Sequence, residues 1–139
     1  MSGITWIEID LDAIEHNLKA VKKKVGSDTK ILAIVKADAY GHGAARISQT
    51  LMDNGVDMLG VAFPEEGIEL RESNINIPIL VLNPVLSEQT EDILKYSMRA
   101  TVCNLDIARE LSKTAKRHCR NIRIHVEVDT GMGGAGLSP

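Results

Sequence analysis

Five short apolar runs, starting at Ile31, Met58, Pro78, Arg99 and Arg123, recur along the chain with a stretch of helical spacing between each pair. Strands alternating with helices at a near-constant period form βαβ units around a parallel sheet. Strands are therefore expected at 31–36, 58–63, 78–82, 99–103 and 123–129. Between them, Ala44, Ile47 and Leu51 mark a helix that stops at Gly55. Pro64 with Glu65 and Glu66 starts the next, a proline in the first turn beside acidic residues. Ser87 is expected to cap the helix carrying Ile93 and Leu94, and Asn104 the one bearing Ala108, Leu111 and Ala115. Ahead of this run, Thr5 to Asp10 alternates in the manner of a half-buried strand. A helix follows, with a capping-box-like start at Asp12-Ala-Ile-Glu15. Ile14, Leu18, Val21 and Val25 form its stripe and Gly26 its end. Lys22, Lys23 and Lys24 suit the dipole there and read as a solvated helix end. No linker divides the 139 residues, which have the size of one domain. Periodicity alone permits either an open doubly wound sheet or part of a barrel. Both put ligands at the carboxyl ends of the strands.

Composition narrows the function classes. Net charge is −3 with acidic and basic residues interspersed, so no basic face for nucleic acid is present. No apolar run approaches the ~20 residues that span a bilayer, and no signal peptide is visible. Cys103 and Cys119 have neither metal-ligand spacing nor the count for a disulfide framework, which points to a reduced, cytoplasmic setting. His16, His42, His118 and His125 lack metal spacing too, and no metal is expected. Aromatics make up 3% of the chain, leaving aliphatic residues to build the core.

The apolar run Ile31 to Val35 leads directly into Lys36, with Tyr40 and His42 just beyond and Gly41 and Gly43 permitting a tight turn. A neutral amine at the end of a buried strand is the nucleophile that forms Schiff bases with carbonyl compounds, pyridoxal phosphate (PLP) among them. A lysine that merely snorkels into water fits the same position. The string itself says more. Val35-Lys-Ala-Asp-Ala-Tyr-Gly-His-Gly43 closely resembles the PLP-lysine motif of the alanine racemases. Thr5-Trp-Ile-Glu-Ile-Asp-Leu-Asp-Ala-Ile14 and Val128-Asp-Thr-Gly-Met-Gly133 resemble segments of that family, in its order and at similar spacing.

The resemblance implies an α/β fold: a partial (β/α)8 TIM-type barrel of about five β/α strands, preceded by an N-terminal strand and helix. Complete barrels take ~250 residues. Residues 1–139 would thus be the incomplete N-terminal part of a PLP-binding barrel domain, without the family's C-terminal β domain. Residue 139, just past a motif, reads as a boundary. By the same resemblance Lys36 carries PLP and then serves as the base on one face, and Tyr40 donates to the cofactor phosphate. Leu82, in Ile79-Leu-Val-Leu82, walls the ring. A packed turn tyrosine is the lesser alternative for Tyr40, whose whole motif matches, and barrel core explains Leu82 equally. His42 belongs to the motif and reads as structural. The implied reaction interconverts L- and D-alanine, an isomerase step of D-alanine biosynthesis. Racemases of serine, lysine or ornithine, and a non-catalytic PLP-binding or assembly module, are the alternatives.

Implied partners are an amino acid substrate and either a homo-oligomer, typically a dimer, or a complementary C-terminal segment. The family draws its second base, a tyrosine, from the other subunit's C-terminal domain; Tyr96 lies on a helical pattern. The chain alone is therefore expected to be poorly active. Five unclosed strands also expose two sheet edges and an apolar inner face, which disfavours a free monomer. One motif departs from the family, which usually reads lysine-x-Asp-Thr-Gly-Met-Gly-Arg. Here Glu127 stands for the lysine and Gly134 for the arginine that reaches the cofactor's phenolic oxygen.

Overall fold

The computed structural model describes residues 5–138, and each expected βα unit forms. The strands are β1 (Leu32–Ile34), β2 (Met58–Val61), β3 (Ile79–Pro84), β4 (Arg99–Val102) and β5 (Ile124–Val126). All pairings are parallel, and the spatial order β1-β2-β3-β4-β5 repeats the chain order. A doubly wound sheet reverses its order at a switch point. No reversal occurs here, and right-handed crossovers that all advance in one direction lay every helix on the same face. The result is an arc of a β/α barrel.

Alternation along the strands sorts the two faces. Leu59, Val61, Ile79, Val81, Ala100 and Val102 are buried beneath the helices, where Leu51, Leu70, Ile93 and Leu111 complete the core. Each large side chain so buried contributes about 1.5–3 kcal/mol. The helices that cover this face are α3 (Ala44–Asp53), α4 (Pro64–Glu72), α5 (Thr90–Lys95) and α6 (Leu105–Arg117). Beyond β4 the cover ends. Ile124 and Val126, the matching positions on β5, are exposed. On the opposite, concave face, Leu32, Met58, Leu80, Arg99 and His125 line a cleft of about 390 Å³.

Several local expectations are corrected. Thr5–Asp10 forms no strand, and Trp6 and Ile7 are 72% and 77% exposed. An alternating pattern needs a neighbouring strand to pair with, and none flanks this segment among the described residues. The first helix, α1 (Leu11–Val25), is capped by Asp10 rather than Asp12. The Asp10 carboxylate accepts from the Asp12 and Ala13 N–H groups at 2.9 and 3.1 Å. Gly26 ends α1 with φ +82°, as expected. Lys22 is not a free solvated charge: its ammonium donates to the Asn54 and Gly55 carbonyls at 2.7 and 2.6 Å, tying α1 to the turn after α3. Ser87 does not cap an α-helix. It opens a 3-10 turn, Ser87–Gln89, that precedes α5. Asn104 does cap α6, accepting from the Ile107 N–H at 3.0 Å. No described helix is long and apolar enough to cross a membrane.

Candidate active site

β1 ends at Ile34, two residues earlier than expected, and Lys36 opens a short helical turn, α2 (Lys36–Gly41). That turn is left-handed. Ala37, Asp38, Ala39 and Tyr40 all have φ between +50° and +57°, followed by Gly41 at +81° and Gly43 at +90°. Left-handed backbone costs an L-residue ~1–2 kcal/mol, so four in succession cost on the order of 4–8 kcal/mol. Such strain persists only where the surroundings over-determine it. Here they do. Within the turn the Ala39 N–H donates to Val35 O at 2.9 Å and the Gly43 N–H to Asp38 O at 3.0 Å. The Asp38 carboxylate accepts from the Ala44 N–H at 2.6 Å, capping α3. The Glu66 carboxylate on α4 accepts from the Ala37 N–H at 2.7 Å. Each charge-assisted bond is worth about 1.5–3 kcal/mol, the same order as the strain it opposes.

The anticipated site residues gather at the carboxyl ends of the strands. Lys36 is half-buried at the exit of β1. Tyr40 is 60% exposed. His42 places its Nδ1 2.8 Å from the Ala39 carbonyl, a contact within the turn. Leu82 is half-buried on the concave face, where Gly60 keeps a gap open. A Cβ added at Gly60 would lie 2.7 Å from Ile34 Cδ1 and 3.4 Å from Leu82 Cδ1. Leu82 thus belongs to the apolar wall of the concave face.

At the far end of the arc, Cys103 follows β4 and Glu127 follows β5. Partial burial, then the Glu127 charge, push the Cys103 thiol above its ordinary pKa. Gly134 has a backbone that admits a side chain, and a Cβ there would sit 3.5 Å from Glu127 Oε1. Asp129 organises the loop between them by accepting from the Gly131 and Gly133 N–H groups at 2.9 and 3.1 Å. These bonds hold its carboxyl below the usual range. Tyr96 caps the end of α5 and stacks under Lys95, away from the strand ends.

An arc of parallel β/α units with a lysine-bearing turn at the mouth of its first strand defines the class: the opening portion of a β/α barrel whose ligand end is the carboxyl face. The chain belongs to the alanine racemase family, matching the family's "Alanine racemase, N-terminal domain" over residues 9–139. The alanine racemase of Halothermothrix orenii is 44% identical over 135 residues, which cover 97% of this chain and 36% of the relative. The Clostridium difficile 630 alanine racemase, solved in complex with cycloserine, superposes with a TM-score of 0.96 at 39% identity, covering 99% of this chain and 38% of that one. The Bacillus anthracis alanine racemase with bound L-Ala-P superposes with a TM-score of 0.91 at 32% identity, covering 100% and 36%. The chain thus spans a little over a third of the length of these relatives.

Sequence reasoning missed Glu66, which it read only as an acidic residue at a helix start, and Asp38, which it did not single out. Both act across the fold or through a backbone conformation that residue pattern does not announce.

Proposed function

We propose that this chain is the N-terminal part of a PLP-dependent alanine racemase and that Lys36 carries the cofactor. The observation that carries this reading is the strained, over-anchored turn that delivers Lys36 to the ligand end of the arc. The residues present suit PLP. Lys36 supplies the amine that would hold it, Tyr40 a hydroxyl donor for its phosphate, and Leu82 with Ile34 an apolar wall for its ring. Bound PLP supplies an electron sink that makes the Cα proton of an attached amino acid acidic. With the cofactor held there, the Lys36 amine would serve as the base for that proton on one face. A second base must act on the opposite face. It comes from another segment or subunit, so we propose an amino acid substrate and a homo-oligomer or complementary C-terminal segment as partners. The relatives' shared name supports alanine as substrate, and the cycloserine complex of one of them supports a small amino acid-like ligand.

Reduction with borohydride in the presence of PLP, followed by peptide mapping, should place a pyridoxyl group on Lys36. A label on another lysine, or none despite bound cofactor, rejects the assignment. A second reading, cofactor capture without turnover, is favoured by Gly134, which leaves Glu127 with no arginine to orient. A PLP absorbance band with no racemisation after a complementary C-terminal segment is supplied would decide for it.

A further inference from the structure

We propose that Glu66 is a positioning residue for Lys36, a role that rests on the reading of Lys36 given above. Glu66 lies in the first turn of α4, on the neighbouring βα unit, and its carboxylate is divided between two tasks. Oε2 accepts from the Ala62 and Phe63 N–H groups at 2.5 and 3.1 Å, which closes the N-terminus of α4. A helix cap needs no more than that. Oε1 reaches in the other direction and accepts from the Ala37 N–H at 2.7 Å, across a sequence separation of 29 residues.

The Ala37 N–H belongs to the peptide that joins Lys36 to the first left-handed residue. The turn's own ladder begins two residues later, with the Ala39 N–H donating to Val35 O, and so leaves the Ala37 N–H to Glu66. Holding this peptide fixes the backbone rotation on the carboxyl side of Lys36. It thereby fixes the direction in which the lysine side chain leaves the strand end. The three partners of the carboxylate are all donors, so both of its oxygens are required. A neutral amide of the same length would turn an N–H₂ toward an N–H. Glu66 touches neither cofactor nor substrate in this scheme. It acts through the Lys36–Ala37 peptide.

Glu66→Gln in the full chain tests this with two readouts. The first is amide hydrogen exchange at Ala37, referenced to Val81 in the core of β3. The second is the pH dependence with which Lys36 is trapped by PLP and borohydride. Exchange at Ala37 should quicken by about tenfold or more, as expected for a lost bond to a charged acceptor, while Val81 stays unchanged. The trapping profile of Lys36 should shift. Glu66→Asp, which keeps the charge but is a methylene shorter, should reproduce both effects and stands in if the glutamine variant does not fold. Quickening of Ala37 only in step with Val81 would mean a general loosening and overturn the proposal. So would Lys36 trapping that matches the unaltered chain in both variants. If the unaltered chain shows no label on Lys36, the functional reading fails instead, and Ala37 exchange still reports whether the carboxylate clamps the turn.

Discussion

The two loops at the ligand end of the sheet are built in opposite ways. The Lys36 turn is held from outside, by Glu66 on α4 and by the start of α3, and it sustains four non-glycine residues in left-handed backbone. The loop after β5 is held from inside: Asp129 accepts from the N–H groups of Gly131 and Gly133, both at positive φ where glycine is unstrained. Met132 at its tip is 98% exposed. A loop that folds on its own carboxylate needs no neighbours, but it cannot store strain or aim a side chain against resistance. The turn at β1 can do both, at the cost of depending on the adjacent βα unit. Damage to β2 or α4 should therefore reach Lys36 and leave the Asp129 loop untouched.

The harshest test of that difference is Gly60→Val. Its Cβ would press on Ile34 Cδ1 at 2.7 Å and on Leu32 Cδ2 at 3.2 Å, just before the Lys36 turn. Overpacking of this kind costs about 1–3 kcal/mol, to be read from the denaturation midpoint. Lys36 labelling should fall, whereas the amide resonances of Gly131 and Gly133 should hold. Equal disturbance of both loops would erase the distinction between them.

A smaller effect is expected at Gly134→Arg. The new side chain starts beside Glu127 and gives its carboxylate a guanidinium to pair with, worth up to ~1 kcal/mol at a partly exposed site. In an assembly holding the rest of the site, PLP should also bind more tightly. A double-mutant cycle with Glu127→Gln isolates the pair. A gain that survives Glu127→Gln shows that the arginine works through some other group.

The smallest effect is the pH response of Asp129. Folding lowers this carboxyl's pKa, so its contribution is fully present above the ordinary aspartate value. It is lost as pH falls through the depressed folded value. Chemical shifts of Gly131 and Gly133 followed by acid titration should move in that window. Asp129→Asn should flatten the titration. A titration of Gly131 and Gly133 that persists in Asp129→Asn would assign the shift to another group.

The strands were legible because burial writes itself into runs such as Ile31–Val35 and Ile79–Leu82. The place of Lys36 at the exit of β1 was legible because it ends one of those runs. Three features were not. Alternation at Thr5–Asp10 has the pattern of a strand, but a strand also needs a partner, and pattern carries no information about one. The left-handed turn was hidden because Ala37, Asp38, Ala39 and Tyr40 have no local preference for it; only Gly41 and Gly43 hinted at a turn. Glu66 was hidden by distance. Its capping role is local and visible as a proline-acidic helix start, whereas its bond to Ala37 joins segments that meet only once β1 and β2 have paired.

Strand order that repeats chain order has a kinetic side. Met58 pairs with Leu32, Ile79 with Leu59, Arg99 with Leu80 and Ile124 with Ala100, so every pairing closes one βα unit and none waits for a distant segment. Parallel sheets are slow to assemble when their pairings are long-range. This one can grow by accretion at a single edge, each strand emerging from the ribosome to meet a template already laid down. The bonds that anchor the Lys36 turn reach no further along the chain than Glu66 on α4, so none of them draws on β3, β4 or β5.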